Sequence, residues 1–334
     1  MRLRTTKMNK EIDVTALGEV LIDFTFSGVN SEGKKVYEEN PGGAPGNCVC
    51  AVAKLGGKSA FIGMTGQDSF GEDICQALKA CGVNVSGIKK TSKQHTTLAF
   101  VSLDENGERS FSFCRNPGAD TMLTKDDVEI SLIESSKIFH VGSLSLTNEP
   151  CRSAELFAIK EAKKAGCLIS YDPNYREKLW GGREDAIPEM KSIFKFADIV
   201  KVSDEELSLL YGPKITYEEG AKKIMEEGVR LVLITLGGDG VFYSANSGDV
   251  SEGVISGKIA AAPVEVVDTT GAGDSFTGGL LYRLTRRKNP MAFSKAELEE
   301  DLRFANAVAS ICVTRRGAIP ALPTLEEVEK FLQK

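Results

Sequence analysis

The chain has 334 residues, 42% of them hydrophobic and 26% charged, with a formal net charge of −6. Such a composition is ordinary for a globular protein; it offers no global field for nucleic acid, and no basic run is interleaved with aromatics. No stretch approaches the roughly 18 apolar residues of a membrane span, so a membrane partner is not expected, and the length suits two domains or one large α/β unit.

The opening MRLRTTKMNK is basic but lacks the apolar stretch of a secretory signal. Residues 1–10 therefore read as a frayed tail before one domain, residues 11–334, expected in the cytoplasm. Ile12–Leu17 is the first expected strand and runs into GEVLIDF, which ends near Asp23. PGGAPGN follows at 41–47, then a helix with Cys48, Ala51, Val52 and Leu55 on one face. LGGKSAFIGMTGQD gives a second strand and loop, and the next helix carries Ile74, Leu78 and Cys81 before a stop at Gly82.

Further strands are expected at Lys137–Val141, Cys167–Tyr171, Asp198–Val202 and Arg230–Leu236, with helices at Ser153–Ala165, Thr216–Glu227 and Asp301–Val313. Short apolar runs alternating with helices imply a parallel sheet covered on both faces, which binds ligands beyond the carboxyl ends of its strands. One region breaks that rhythm. Thr97–Leu103 and Arg109–Cys114 form a hairpin pattern around Asn106-Gly107, and Phe24–Ser27 with Lys34–Glu38 look like a second pair. These strands, within about 24–40 and 95–118, read as a small projecting sheet, either a lid or a homodimer surface.

The most informative segment is VDTTGAGDSFTGG, Val267 to Gly279. It lies between a strand-like run, Lys258–Val267, and a helical repeat of Phe276, Leu280, Leu281 and Leu284. Gly271 and Gly273 let the backbone turn tightly, and a helix starting there supplies unpaired N–H groups and a positive dipole end, which together make an anion cradle. Asp274 stands where an anion would repel it, so it suits a base that takes a proton from a hydroxyl attacking phosphorus. A dinucleotide fingerprint fails because Phe276 lies three after Gly273, and a Walker loop fails because no Lys follows that glycine. The remaining alternative is a turn with an Asp helix cap.

Other strand ends carry compatible parts. Asp23 can accept bonds from vicinal hydroxyls or can be a solvated strand-end carboxylate. Gly42, Gly43 and Asn47 make a second glycine turn at a helix start. DPNYREKLW supplies Asn174 and Arg176, an oxygen ligand or a packing staple. Ser203 to Glu206 either complements a helix dipole or orients water around magnesium, and Thr235 to Gly240, TLGGDG, suits nucleotide contact or a hairpin. Eight cysteines without a C-x-x-C pair read as buried free thiols. The two histidines, His95 and His140, fall in separate strand-like runs, so acid–base work is left to carboxylates.

With DTTGAGDSF, PGGAPGN, FIGMTGQDSFG, FCRNPGAD, SYDPNYREKLW and RRGAIPALPT in place, the chain from about Ile12 to Val328 resembles the ribokinase-like (PfkB) sugar kinases, and among them the fructokinases. The resemblance implies a ribokinase-like three-layer sandwich with a mostly parallel central sheet and a small β-sheet lid. It implies ATP and Mg²⁺ as cofactors, with transfer to the 6-hydroxyl of D-fructose; 2-keto-3-deoxygluconate or ribose is the alternative substrate. A non-catalytic sensor is disfavoured because a sensor gains nothing from Asp274.

By the same resemblance Asp274 is the base, and Gly271, Ala272 and Gly273 hold transition-state charge. Asp23, Gly42, Gly43, Asn47, Phe113, Arg115 and Arg176 contact the sugar. Ser203, Thr235, Gly237, Gly240 and Asn306 join the nucleotide pocket, and Glu206 holds magnesium through water. Asp268, Thr270, Cys312, Arg315 and Gly317 outline a K⁺ loop. Two positions depart from the family pattern: Ser203 replaces its Asn, and Ala321 replaces a Ser.

Overall fold

The computed structural model describes residues 10–103, 109–246 and 253–333. The expected tail lies outside them except for Lys10, whose ammonium reaches Cys167 Sγ at 3.3 Å; the Asn106-Gly107 turn also lies outside.

The chain opens with β1 (Ile12–Leu17), β2 (Leu21–Val29), β3 (Lys35–Gly42), α1 (Ala44–Lys54), β4 (Ser59–Gly66), α2 (Ser69–Cys81) and β5 (Asn84–Thr91). It continues through β6 (Thr97–Leu103), β7 (Arg109–Cys114), α3 (Ile130–Glu134), β8 (Ser136–Val141), α4 (Cys151–Lys164), β9 (Leu168–Tyr171), α5 (Arg183–Ser192) and β10 (Ile199–Ser203). The remainder is α6 (Asp204–Tyr211), α7 (Tyr217–Met225), β11 (Leu231–Thr235), β12 (Val241–Asn246), β13 (Val254–Ile259), α8 (Ala272–Thr285), α9 (Lys295–Cys312) and α10 (Leu325–Leu332).

Among the described residues the larger sheet has nine strands in the order β13-β12-β11-β10-β9-β8-β1-β4-β5. It is parallel from β5 to β11 and antiparallel only at the β11–β12 and β12–β13 pairs. Alternation along each strand builds the layers. Val14, Ile138, Ile199, Leu231 and Leu233 pack with α1, α2, α8 and α9 on one face. Leu17, Phe139, Val200, Val202, Val232 and Ile234 pack with α3 to α7 on the other. The three-layer α/β architecture is thus as the sequence implied.

The smaller sheet runs β3-β2-β6-β7. Phe24 stacks on Phe100 with centroids 5.1 Å apart and meets Phe70 of α2 edge-on at 5.7 Å. Asp23 and Thr25 point to the opposite face, so the same β2 backbone packs on one side and offers polar groups on the other.

Several expectations shift. The strand expected over Lys258–Val267 ends at Ile259, because Asn306 Nδ2 donates to the carbonyls of Ile259 and Ala260, each at 3.2 Å, and Pro263 cannot extend a ladder. Helix α9 starts six residues before Asp301, where Ser294 and Glu297 form a capping box. His95 lies outside any strand, exposed beside Asp68, whereas His140 is buried in β8. The eight thiols are free, but Cys114 is exposed and Cys81 half-buried.

Candidate active site

Gly271 caps α8 in the left-handed region, φ 76°, and a Cβ there would lie 2.8 Å from Ala318 Cβ. The first turn of α8 is therefore laid against the 318 loop with its amides facing outward. The N–H groups of Gly271 and Gly273 make no hydrogen bond among the described residues, while Ala272 N–H donates to Thr269 O at 3.3 Å. Two of the three expected cradle amides are free and the third is partly engaged. That corrects the even, three-donor cradle read from the motif.

Asp274 follows in the same turn, and its Oδ2 accepts from Asn47 Nδ2 at 2.8 Å. Burial pushes its carboxyl up to about 6; the Asn47 bond pulls downward and Asp172 adds like-charge repulsion. The weak basicity of an ordinary aspartate does not apply here.

Asn47 comes from the first turns of α1, whose entry is fixed by the PGGAPGN turn. Gly43 has φ 113°, and a Cβ on it would sit 2.5 Å from Glu19 O. The Glu19 carboxylate accepts from Ala44 N at 3.1 Å, and burial raises it to about 7. Sequence reasoning passed over Glu19, although a carboxylate inside the apolar run GEVLI was a visible signal. A Cβ on Gly42 would meet Asp23 Oδ2 at 3.0 Å and Asn47 Oδ1 at 3.9 Å, which places these three together. Burial raises Asp23 to about 6 against the pull of Arg176, with Asp274 and Asp268 pushing it further. Asp23, Asn47 and Asp274 therefore lie together, within electrostatic reach of Arg176.

The opposite wall comes from the ends of β9, β10 and β11. Ser203 and Thr235 are direct cross-strand neighbours. Ser203 Oγ accepts from Glu206 N at 3.0 Å, and Glu206 returns a bond to Ser203 N at 2.8 Å while also accepting Tyr175 N at 2.7 Å. Both readings of this motif began from its acidic residues; the geometry observed is a capping box that also ties down the Arg176 loop. Gly237 and Gly240 shape the turn after β11, and a Cβ on Gly240 would lie 2.0 Å from Ile259 O. Asn306 reaches the same segment from α9, so Gly240 and Asn306 meet at one corner of the sheet, with its Nδ2 spent on main-chain carbonyls.

Residues 11–325 match the family described as pfkB family carbohydrate kinase. The chain belongs to that family. A pfkB kinase is a phosphotransferase acting on a sugar hydroxyl, and relatives agree along nearly the whole length. A probable fructokinase-4 of Arabidopsis thaliana is 44% identical over 322 residues, 96% of both chains. A fructokinase from Xylella fastidiosa with bound ATP superposes with a TM-score of 0.88 at 32% identity, covering 96% of this chain and 98% of that one. A fructokinase from Vibrio cholerae O395 bound to fructose, ADP and a calcium ion gives 0.86 at 34% identity, covering 97% and 100%. A double mutant of the latter, with fructose, ADP and a potassium ion, gives 0.85.

Within this pfkB kinase the segments carrying Asp268, Thr270 and Gly317 lie together. Asp268 Oδ1 accepts from Thr270 N and Oγ1, and Asp268 Oδ2 accepts from Gly317 N at 3.0 Å. Cys312 Sγ lies 3.9 Å from Thr270 O, whereas the Arg315 guanidinium turns away to Glu327. No group of three or more His, Cys, Asp or Glu side chains forms a metal-binding cluster among the described residues. Both Glu206 oxygens accept main-chain N–H groups, so a divalent ion near it would take most of its ligands from nucleotide phosphates and water.

Two sugar-contact expectations fare differently. Phe113 sits half-buried in β7 opposite Ala99. Arg115 is buried, and its guanidinium is consumed by Asp120, Thr147 Oγ1 and Leu144 O at 2.7–2.9 Å. With four of its five N–H donors engaged in this way, Arg115 braces the root of the small sheet. The reason is Asp120, five positions on, a buried carboxylate that requires a partner.

The larger omission from sequence reasoning is Lys201. It stands in IVKVS, a strand otherwise apolar until its last residue, and its Nζ pairs with Asp172 Oδ2 at 3.0 Å under the cradle. A lone charge in a fully buried strand was the available signal.

Proposed function

We propose that this pfkB kinase transfers the γ-phosphoryl of ATP to the 6-hydroxyl of D-fructose, giving fructose 6-phosphate and ADP. The observation that carries the reading is the Asn47–Asp274 bond at the head of α8. It sets a carboxylate of raised pKa beside unpaired amides and opposite Asp23 and Arg176. In this reading Asp23, Gly42, Gly43, Asn47 and Arg176 orient the sugar and Asp274 takes the hydroxyl proton. The amides of Gly271 and Gly273 stabilise charge on the transferring group. Ser203, Thr235, Gly237, Gly240 and the corner near Asn306 receive the nucleotide. The fructose and ADP or ATP bound in the related enzymes support the substrate pair.

Magnesium supplies charge neutralisation between the phosphates. The Asp268–Gly317 loop is the place for K⁺, whose dependence follows from the same reading. We read residues 11–334 as one kinase domain with the β3-β2-β6-β7 sheet as a lid that excludes water, and its outer face as a surface for a second copy of the chain. Among the described residues no helix is long and apolar enough to cross a membrane, and we place the enzyme in the cytoplasm.

The test is a coupled ADP-release assay over fructose, ribose, 2-keto-3-deoxygluconate, glucose and adenosine, with and without K⁺. Fructose should be phosphorylated with the highest kcat/KM. A clear preference for another sugar overturns the substrate assignment.

A further inference from the structure

Lys201 is charged, buried and adjacent to the anion cradle, and none of the roles assigned above uses it. Along β10 it shares a face with Ile199, the α8 side of the sheet, with Leu233 as its cross-strand partner. Its Nζ lies 3.0 and 3.3 Å from the two oxygens of Asp172, which directly follows β9. Asp172 thus accounts for at most two of the three ammonium protons. A Cβ on Gly273 would stand 2.9 Å from that Nζ, so the ammonium abuts the first turn of α8 next to Asp274. Burial alone would discharge Lys201, but Asp172 and then Glu206 hold its pKa above the ordinary lysine range.

Stability does not account for this arrangement. A buried ion pair is commonly no more stable than apolar side chains of the same volume, and β10 is otherwise lined by such residues. Its position does account for it. A phosphoryl group moving from ADP to a hydroxyl held by Asp274 must cross the Gly271–Gly273 amides, and its charge is spread over three equatorial oxygens. The ammonium lies beside that path, on a stem with four rotatable carbons.

We propose that Lys201 is a catalytic cation that leaves Asp172 for an equatorial oxygen of the transferring phosphoryl, while Asp172 holds it charged between turnovers. This rests on the sugar-kinase reading. The bond from the sugar O6 to Pγ forms as the bond from Pγ to the ADP oxygen breaks, and the hydroxyl proton passes to Asp274. Lys201 keeps its proton throughout.

The test separates this role from that of a structural brace. Lys201→Met and Asp172→Asn each strand a buried partner and should lower Tm; the double variant K201M/D172N removes both and should recover it. In the double variant kcat should stay about 10²–10³-fold down. Its affinity for ATP by calorimetry should fall about tenfold with ADP affinity unchanged. Recovery of kcat together with Tm, or equal loss of ATP and ADP binding, would overturn the proposal. Should the double variant not fold, Lys201→Gln carries the same ATP-against-ADP comparison, and a loss confined to ATP supports the assignment while any other pattern overturns it. Wild-type protein inactive on every sugar would remove the sugar reading but leave the nucleotide comparison standing.

Discussion

Asp274 is a carboxylate whose surroundings disfavour its charge, with burial and the nearby Asp172 raising it to about 6. A base works only when ionised, so kcat/KM should fall about tenfold per pH unit below that value and level off above it. Asp274→Asn should lower kcat by about 10³-fold and abolish that acid limb; a retained limb would assign the titration to another group. The linkage sign is opposite for stability. Because the folded pKa lies above the unfolded one, protonation at Asp274 contributes stability that is fully present below about pH 4 and is lost as pH rises through 6. Asp274→Asn should therefore raise Tm at pH 8 and raise it less at pH 5, by calorimetry. Residues such as Asp274 and Asn47 were legible because glycine turns announce them. Lys201 and Glu19 showed only as charges inside apolar runs, and their roles depend on neighbours more than twenty positions away.

At the scale of the element, most of the surface of α8 is covered, as is that of α1. Nearly every residue from Ser275 to Thr285 is buried, with α1 and α9 pressed against it. Contact is close because Gly278 and Gly279 have no side chain: a Cβ on Gly278 would lie 2.6 Å from both Ala51 Cβ and Cys48 O. Gly278→Val should lose about 1–3 kcal/mol in urea unfolding. It should also raise KM for the sugar, because the same α1 carries Asn47; an unchanged KM would uncouple packing from the site. Helices with one apolar stripe, such as α2, were readable from periodicity. The strand expected before α8 was misplaced because its apolar residues, Val266 and Val267, are exposed and β13 had already ended at Ile259. Apolar spelling did not determine burial there; the Asn306 side chain and Pro263 did.

Across the whole molecule, the alternation of strands and helices foretold the parallel sheet; the hairpin reading of TLGGDG accounts for β12 reversing on β11, while nothing in the hydrophobic pattern foretold β13 at the edge. Parallel order gathers the carboxyl ends of β9, β10 and β11 around the cradle, while β2 and β3 bring Asp23 and Gly42 from the other sheet. A ligand bridging the two sheets should stabilise the entire fold. Sugar and ADP together at about 100 times their Kd should each add ~2.7 kcal/mol, read as a concentration-dependent rise in Tm. A shift from ADP alone, with none from sugar, would count against the Asp23 side of the site.

The hydrogen bond from Asn47 to Asp274 joins positions 227 apart in the chain. A ribosome must therefore have released both α1 and the first turn of α8 before the Asp274 carboxylate can meet the amide that orients it. On the reading proposed here, a nascent chain lacking the α8 segment has no means of spending ATP, so catalytic competence waits on the emergence of that helix.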